Sequence, residues 1–371
     1  MMRRLFPLIF VCLLLWFSGC QSGAPTPTAA PPTAVADSPS PPPTNTAVPP
    51  TEPAATEEPA PSTAEPTATT EPTAAPTATP DPLSWTTLAK MPTARSEMGA
   101  VYLAGRIYVP GGFGNNFQQA AERVFEVYDI ATDSWERLAD IPLERANHHA
   151  TAVYEGQIYL FSDWNGGQTV RYDPAADEWT ILTPPPEPRY AAAAVAWGDY
   201  LYVVGGVGSG SSNATLRYDP RADSWDALAE HRQRREHVAA AVLEGEIYLL
   251  GGRLDREFNM VEIYNIANDQ WRVGPAMKEK RTGFGAVTIG NRIYTAGGEL
   301  ILEGRTLDTV EYYDATTKQW QLAEFELPSP LHGVPLVTDG RRLYVVGGSG
   351  IVGTVSNRGE LFAIELDGGA H

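Results

Sequence analysis

The chain has 371 residues, 43% of them hydrophobic and 19% charged, with a formal net charge of −18. So large an excess of acid leaves no net basic face for phosphates, which argues against nucleic acid as a partner. With Cys12 and Cys20 the only cysteines, a disulfide framework is excluded as the source of stability.

Residues 1–20 open with Arg3 and Arg4 and continue in an apolar run from Leu5 to Phe17, too short to span a bilayer comfortably and patterned as an export signal. The run ends in Phe17-Ser18-Gly19-Cys20, which resembles a bacterial lipobox, although Phe17 stands where Leu, Val or Ile is usual. That resemblance implies an exported chain, lipid-anchored through Cys20 and facing the extracellular or periplasmic space. An ordinary cleaved signal or an uncleaved anchor is the other reading. Because Cys12 lies inside the signal, Cys20 is the sole thiol of the expected mature chain.

From 21 to 82 the composition collapses to Pro, Thr and Ala with scattered acids and no Lys or Arg. Such a stretch cannot bury enough apolar surface to offset chain entropy and is expected to be a disordered stalk, reaching on the order of 190 Å at ~3.1 Å per residue. Seven acids here and two arginines in 1–20 account for −5 of the charge and leave −13 for residues 83–371.

Those residues repeat. Tryptophans at 85, 135, 179, 225, 271 and 320 stand 44–50 residues apart, and tyrosines at 108, 159, 202, 248, 294 and 344 keep step with them. Glycine pairs follow at 111/112, 205/206, 251/252, 297/298 and 347/348, while the second repeat has Phe161-Ser162 there. A period of this length with four short alternating runs is what a propeller blade needs, since one small sheet cannot bury both faces alone. Ile-Tyr-x-x-Gly-Gly, then Tyr-Asp, then Trp resembles the kelch repeat. The resemblance implies an all-β, six-bladed kelch propeller over 83–371 and says little about function, because such propellers serve as binding modules and as enzymes. With one thiol in the mature chain, a copper-radical oxidase resembling galactose oxidase is excluded.

Blade six lacks a final tryptophan strand, whereas blade one is preceded by a spare strand around Trp85. Pairing residues 83–89 with 360–366 is therefore expected to close the ring. Turns after the first and third strands are short and uniform, while loops after the second strands vary. Antiparallel alternation puts the variable loops and the fourth-to-first connections on one face, which is read as the binding surface.

Ten residues beyond five of the tryptophans stands an arginine: Arg95, Arg145, Arg189, Arg235 and Arg281, with Pro330 in the sixth slot. Near one mouth they could clamp an anionic ligand, or they could belong to the repeat and bond loop carbonyls. Arg253 and the Asp163-Trp164 pair of blade two join them as ligand-binding candidates. Trp164 is suited equally to stacking on a sugar and to plugging the channel mouth. His148, His149, His237 and His332 lie on different blades without ligand spacing, so neither metal nor cofactor is expected. Gly298-Glu299 with Arg305 and Thr306 resembles the acid and arginine of kelch sialic acid mutarotases, which implies an acid-base pair on a carboxylated sugar. The expected function is a monomeric, non-catalytic module for an extracellular glycan or peptide, with such an enzyme as the alternative.

Overall fold

The computed structural model describes residues 83–115, 119–162, 167–208, 210, 213–355 and 357–366. The expected signal with Cys20, the stalk over 21–82, and the candidates Asp163 and Trp164 lie outside the described residues. Among those described there is no α-helix, only a 3-10 turn at Gln119–Arg123.

Six four-stranded antiparallel sheets form the blades of a propeller. Their first strands are Val101–Leu103, Ala150–Tyr154, Tyr190–Trp197, Ala239–Leu243, Gly285–Ile289 and Leu336–Thr338. The second are Arg106–Pro110, Gln157–Ser162, Tyr200–Val207, Glu246–Leu250, Arg292–Ala296 and Arg342–Val346. The third are Phe125–Asp129, Gln168–Asp173, Ala214–Asp219, Val261–Asn265, Thr309–Asp314 and Leu361–Glu365. Five fourth strands follow in sequence, Ser134–Arg137, Glu178–Leu182, Ser224–Glu230, Gln270–Val273 and Gln319–Glu326. In blade six the outer place is taken by Thr86–Leu88, paired antiparallel with Leu361–Glu365 through Thr86–Ala363, Thr87–Phe362 and Leu88–Leu361.

The side-chain pattern follows from position. First strands crowd the axis, where small residues such as Ala192, Ala193, Ala194, Ala239 and Ala241 fit. Second strands are sandwiched between neighbouring blades, so Ile247, Tyr248, Leu249 and Leu250 are all buried in an unbroken apolar run. Fourth strands form the outer wall and leave Ile181, Val273 and Leu322 exposed. Each glycine pair is a joint between blades. Gly251 and Gly252 have φ of 52° and 87°, and Gly252 N donates to Arg281 O of the next blade at 2.9 Å. A Cβ on Gly251 would stand 2.6 Å from that same oxygen, so the joint admits only glycine.

The tyrosine, aspartate and tryptophan of the repeat form a second joint at the rim. In blades one to four the Tyr128, Tyr172, Tyr218 and Tyr264 hydroxyls donate to Asp133, Asp177, Asp223 and Asp269 at 2.6–2.7 Å. Each aspartate also accepts from a backbone N–H at or just beyond the end of the preceding blade's outer strand: Ala89, Ala139, Thr183 and Ala229. The tryptophans Trp135, Trp179, Trp225 and Trp271 return the bond by donating Nε1–H to the carbonyls of those same four residues. Trp85 does likewise to Glu326 O. The turn aspartates Asp129, Asp173, Asp219 and Asp314 accept from backbone N–H groups two residues on, as turn chemistry requires.

Candidate functional site

Six loops turn inward from the outer strands, and at the same step of each one residue has left-handed backbone. These are Glu97, His148, Ala191, His237, Gly283 and Gly333, with φ between 51° and 63°. Their main chains bond to one another around the axis. Glu97 N donates to Gly333 O at 2.9 Å, His148 N to Glu97 O at 2.9 Å, Ala191 N to His148 O at 2.8 Å, Gly283 N to His237 O at 3.1 Å and Gly333 N to Gly283 O at 2.7 Å. Glycine adopts this conformation freely, whereas a side chain costs about 1–2 kcal/mol there. Glu97, His148 and His237 hold it nonetheless and line a cavity of about 160 Å³. Through shared walls at Ala100 and Ala194 this continues into a second cavity of about 350 Å³ between the first strands.

A network of charge gathers here. His148 Nε2 is 3.6 Å and His237 Nε2 3.9 Å from Glu97 Oε2, and His332 Nδ1 is 3.6 Å from Glu97 Oε1. His332 Nδ1 is also 3.5 Å from Glu299 Oε2. Arg253 bridges Glu236 and Glu299 at 2.9 Å each, and its Nη2 lies 3.3 Å from His237 Nε2. Burial would raise the Glu97 carboxyl, but the imidazoles around it, His148 foremost, hold it well below the usual carboxylate range. His148 is pushed down to about 4 by burial, against the pull of Glu97. For His332 burial acts downward too, yet contact with Glu97 and Glu299 outweighs it and raises the imidazole. Glu236, despite burial, is brought down to about 2 by His237 and Arg253.

The histidines were expected to be too scattered over blades to share a ligand. In a closed ring, equivalent positions of different blades meet at the axis, so residues 89 apart in sequence become neighbours. Glu97, His148 and His237 present donor atoms within 4.8 Å of one another, a grouping able to hold a metal ion. That corrects the expectation drawn from spacing alone.

Four of the five repeat arginines bond loop carbonyls and acids of the repeat. Arg95, Arg235 and Arg281 are fully buried and Arg189 nearly so. Arg95 Nη1 donates to the carbonyls of Val109, Gly111 and Val124, and Nη2 to Glu126 at 2.7 Å. Arg235 bonds Leu249 O, Gly251 O and Glu262. Arg281 bonds Gly297 O, Thr309 O and Glu311, and Arg189 bonds Ala214 O and Glu187. The glutamates in turn accept from backbone N–H groups of the inward loop, as Glu262 does from Arg232 and Glu311 from Lys278. In blades one, four and five the pair thus ties the third strand and the start of the variable loop to the inward loop, whereas Arg189 pairs with Glu187 of its own inward loop. Arg145 alone is exposed.

The Glu299 and Arg305 pairing is not formed. The two residues lie on a small hairpin, Glu299–Leu300 with Arg305–Thr306, whose register sets Glu299 against Thr306 and Leu300 against Arg305. Neighbouring residues of a strand face opposite ways, so Glu299 is buried toward the axis while Arg305 is exposed near Glu279 and Glu303. The guanidinium on Glu299 is that of Arg253, from the preceding blade.

Residues 94–142 and 280–323 match the kelch motif, and 170–298 match the KLHDC2/KLHL20/DRC7 kelch-repeats domain. Similar proteins include beta-scruin of Limulus polyphemus, 34% identical over 134 residues, and the kelch-like protein terF of Aspergillus terreus, 33% identical over 134 residues. The matches cover 34% and 33% of this chain, and only 14% and 29% of those proteins' own lengths. The solved structure of YjhT superposes with a TM-score of 0.63 at 15% identity, over 76% of this chain and 97% of that one, a likeness of fold. Repeat signature, blade count and matched stretches agree: the chain is a kelch-repeat β-propeller of six blades.

Proposed function

We propose that the chain is a surface-anchored binding module whose variable loops on blades four to six take a peptide segment of an extracellular protein. One observation carries this reading. At the tips of three consecutive loops Leu254, Ile301, Leu302 and Ile351 are 50%, 42%, 72% and 56% exposed. Large aliphatics in open solvent on one rim point to an apolar partner. Exposed Asp255, Arg256, Glu303 and Arg305 surround them, the polar border that such interfaces have. The loops are tied together in advance: Leu302 N donates to Glu257 at 3.1 Å, Gly353 N to Glu299 at 2.7 Å, and Asn357 N to Asn115 at 2.8 Å. A rim held this way loses little freedom on binding. Aliphatic tips favour a peptide over a glycan, whose usual platform is aromatic.

The test is selection from a displayed peptide library on the full chain, alongside a glycan array and an assay of sialic acid anomer exchange. Enrichment of peptides with aliphatic anchors, abolished in Leu302→Asp with Ile351→Asp, supports the reading. Glycan binding indifferent to those substitutions, or anomer exchange that stops in Glu299→Ala, replaces it.

A further inference from the structure

We propose that the axial ring holds one divalent transition-metal ion, bound by the Glu97 carboxylate and the Nε2 atoms of His148 and His237. Two imidazoles and a carboxylate are the donor set that borderline ions such as Zn²⁺ take, and three protein donors leave a position for water or a further ligand.

Tautomer geometry is the first support. Asn147 Nδ2 donates to Glu122 Oε2 at 2.6 Å, which turns its Oδ1 toward His148 Nδ1 at 2.7 Å. An acceptor there fixes the proton on Nδ1 and leaves a lone pair on Nε2. That lone pair faces a carboxylate oxygen at 3.6 Å, an arrangement that repels until a cation lies between. His237 Nδ1 lies 3.2 Å from Glu236 Oε1 without a hydrogen bond between them, and its Nε2 is 3.9 Å from Glu97 Oε2. Its Nε2 is 3.3 Å from Arg253 Nη2, and metal binding requires Arg253 to turn fully to Glu236 and Glu299, its other partners.

Surroundings and backbone supply independent support. Arg253 is held between Glu236 and Glu299, and the groups around the Glu97 carboxylate are the imidazoles of His148, His237 and His332. All three ligands occupy left-handed backbone, at ring positions where blades five and six have glycine. Strained conformations persist where a function holds them. Ligand atoms on a tetrahedral Zn²⁺ stand roughly 3.3 Å apart for bonds of ~2.0 Å, so the 3.6 and 3.9 Å separations to Glu97, within a grouping that spans 4.8 Å, must contract on binding.

Titration of the tag-free full chain with Co²⁺, followed by its visible absorption and by competition with Zn²⁺, tests this. One equivalent bound is the expected result. His148→Gly and His237→Gly are the informative variants, because glycine suits the ring and the fold survives. Each should lower affinity at least 100-fold while the metal-free melting temperature holds or rises. Asn147→Leu, which keeps all three ligands, should weaken binding by about 10–100-fold through loss of the imidazole's orientation. Absence of Co²⁺ uptake by the full chain, or uptake unchanged in both glycine variants, overturns the proposal.

Discussion

Arg253 Nη1 donates to Glu299 Oε1 at 2.9 Å across 46 residues of sequence, while its Nε donates to Glu236 at 2.9 Å. One guanidinium thus joins the inward loop of blade four to the glycine-pair loop of blade five. Arg253→Met strips the buried Glu299 and the partly buried Glu236 of this partner and should destabilise the domain by about 3–5 kcal/mol. Arg305→Met, on an exposed side chain, should stay within about 0.5 kcal/mol. Denaturant midpoints of the two variants check this, and equal shifts would return Arg305 to the network.

The braces within blades give a second expectation. Arg281 and Glu311 are both fully buried and in contact at 2.9 Å. Arg281→Leu leaves Glu311 charged and unpaired and should cost about 3–5 kcal/mol, whereas Arg281→Leu with Glu311→Leu should recover a large part of that. Ligand binding by the double variant should keep its salt dependence, since this arginine touches no solvent. A double variant less stable than the single one would show that the brace contributes beyond its charge balance.

Acid sensitivity follows from His149. Burial pushes its imidazole down to about 3, below the ~6.5 of an unfolded histidine. A folded value below the unfolded one means that the unfolded chain takes a proton which the fold refuses. Stability is therefore complete above about pH 6.5 and erodes as pH falls toward 3, by about 1.4 kcal/mol per pH unit for that one proton. His148, at about 4, adds to the same window, and His332, raised, works in the opposite sense at higher pH. His149→Gln should flatten the dependence of melting temperature on pH between 6 and 4. Parallel profiles would count against the assignment.

The strand Thr86–Leu88 covers the edge of blade six, and Trp85 bonds blade five through Glu326 O at 2.6 Å. Deleting 83–89 should lower the melting temperature of the whole domain, while deleting 21–80 should leave it nearly unchanged. Calorimetry on both deletions decides, and equal melting would mean that this strand adds nothing to the ring.

Blade number, strand order and the inward and outward faces were legible because tryptophan, tyrosine and glycine recur at a fixed period and each has a local reason. Tyr128, Asp133 and Trp135 lie within eight residues, so their joint could be sensed from sequence. The axial cluster could not, because Glu97, His148 and His237 become neighbours only when the ring closes. A usable signal was nevertheless present: the ring position is glycine in blades five and six and a charged or imidazole side chain in blades one, two and four. Reading the arginines needed the glutamates as well. Glu126, Glu262 and Glu311 each stand two residues before the strand tyrosine in the blades whose arginine they hold, and blades two and three have Val170 and Leu216 there.

The rim joints are not all alike. Five carry a tryptophan bonded to the neighbouring blade, but Trp320 is buried with no hydrogen-bond partner for Nε1, and Lys318 stands with positive φ where the other turns have aspartate. At the rim this joint is the weaker link, so amide exchange of the outer strands should begin at the edge between blades four and five, while Arg253 holds the same two blades together nearer the axis. The exposed tips of Leu254 and Leu302 sit on either side of that boundary, so a partner bridging them would act as a clasp and slow exchange on strands it never touches.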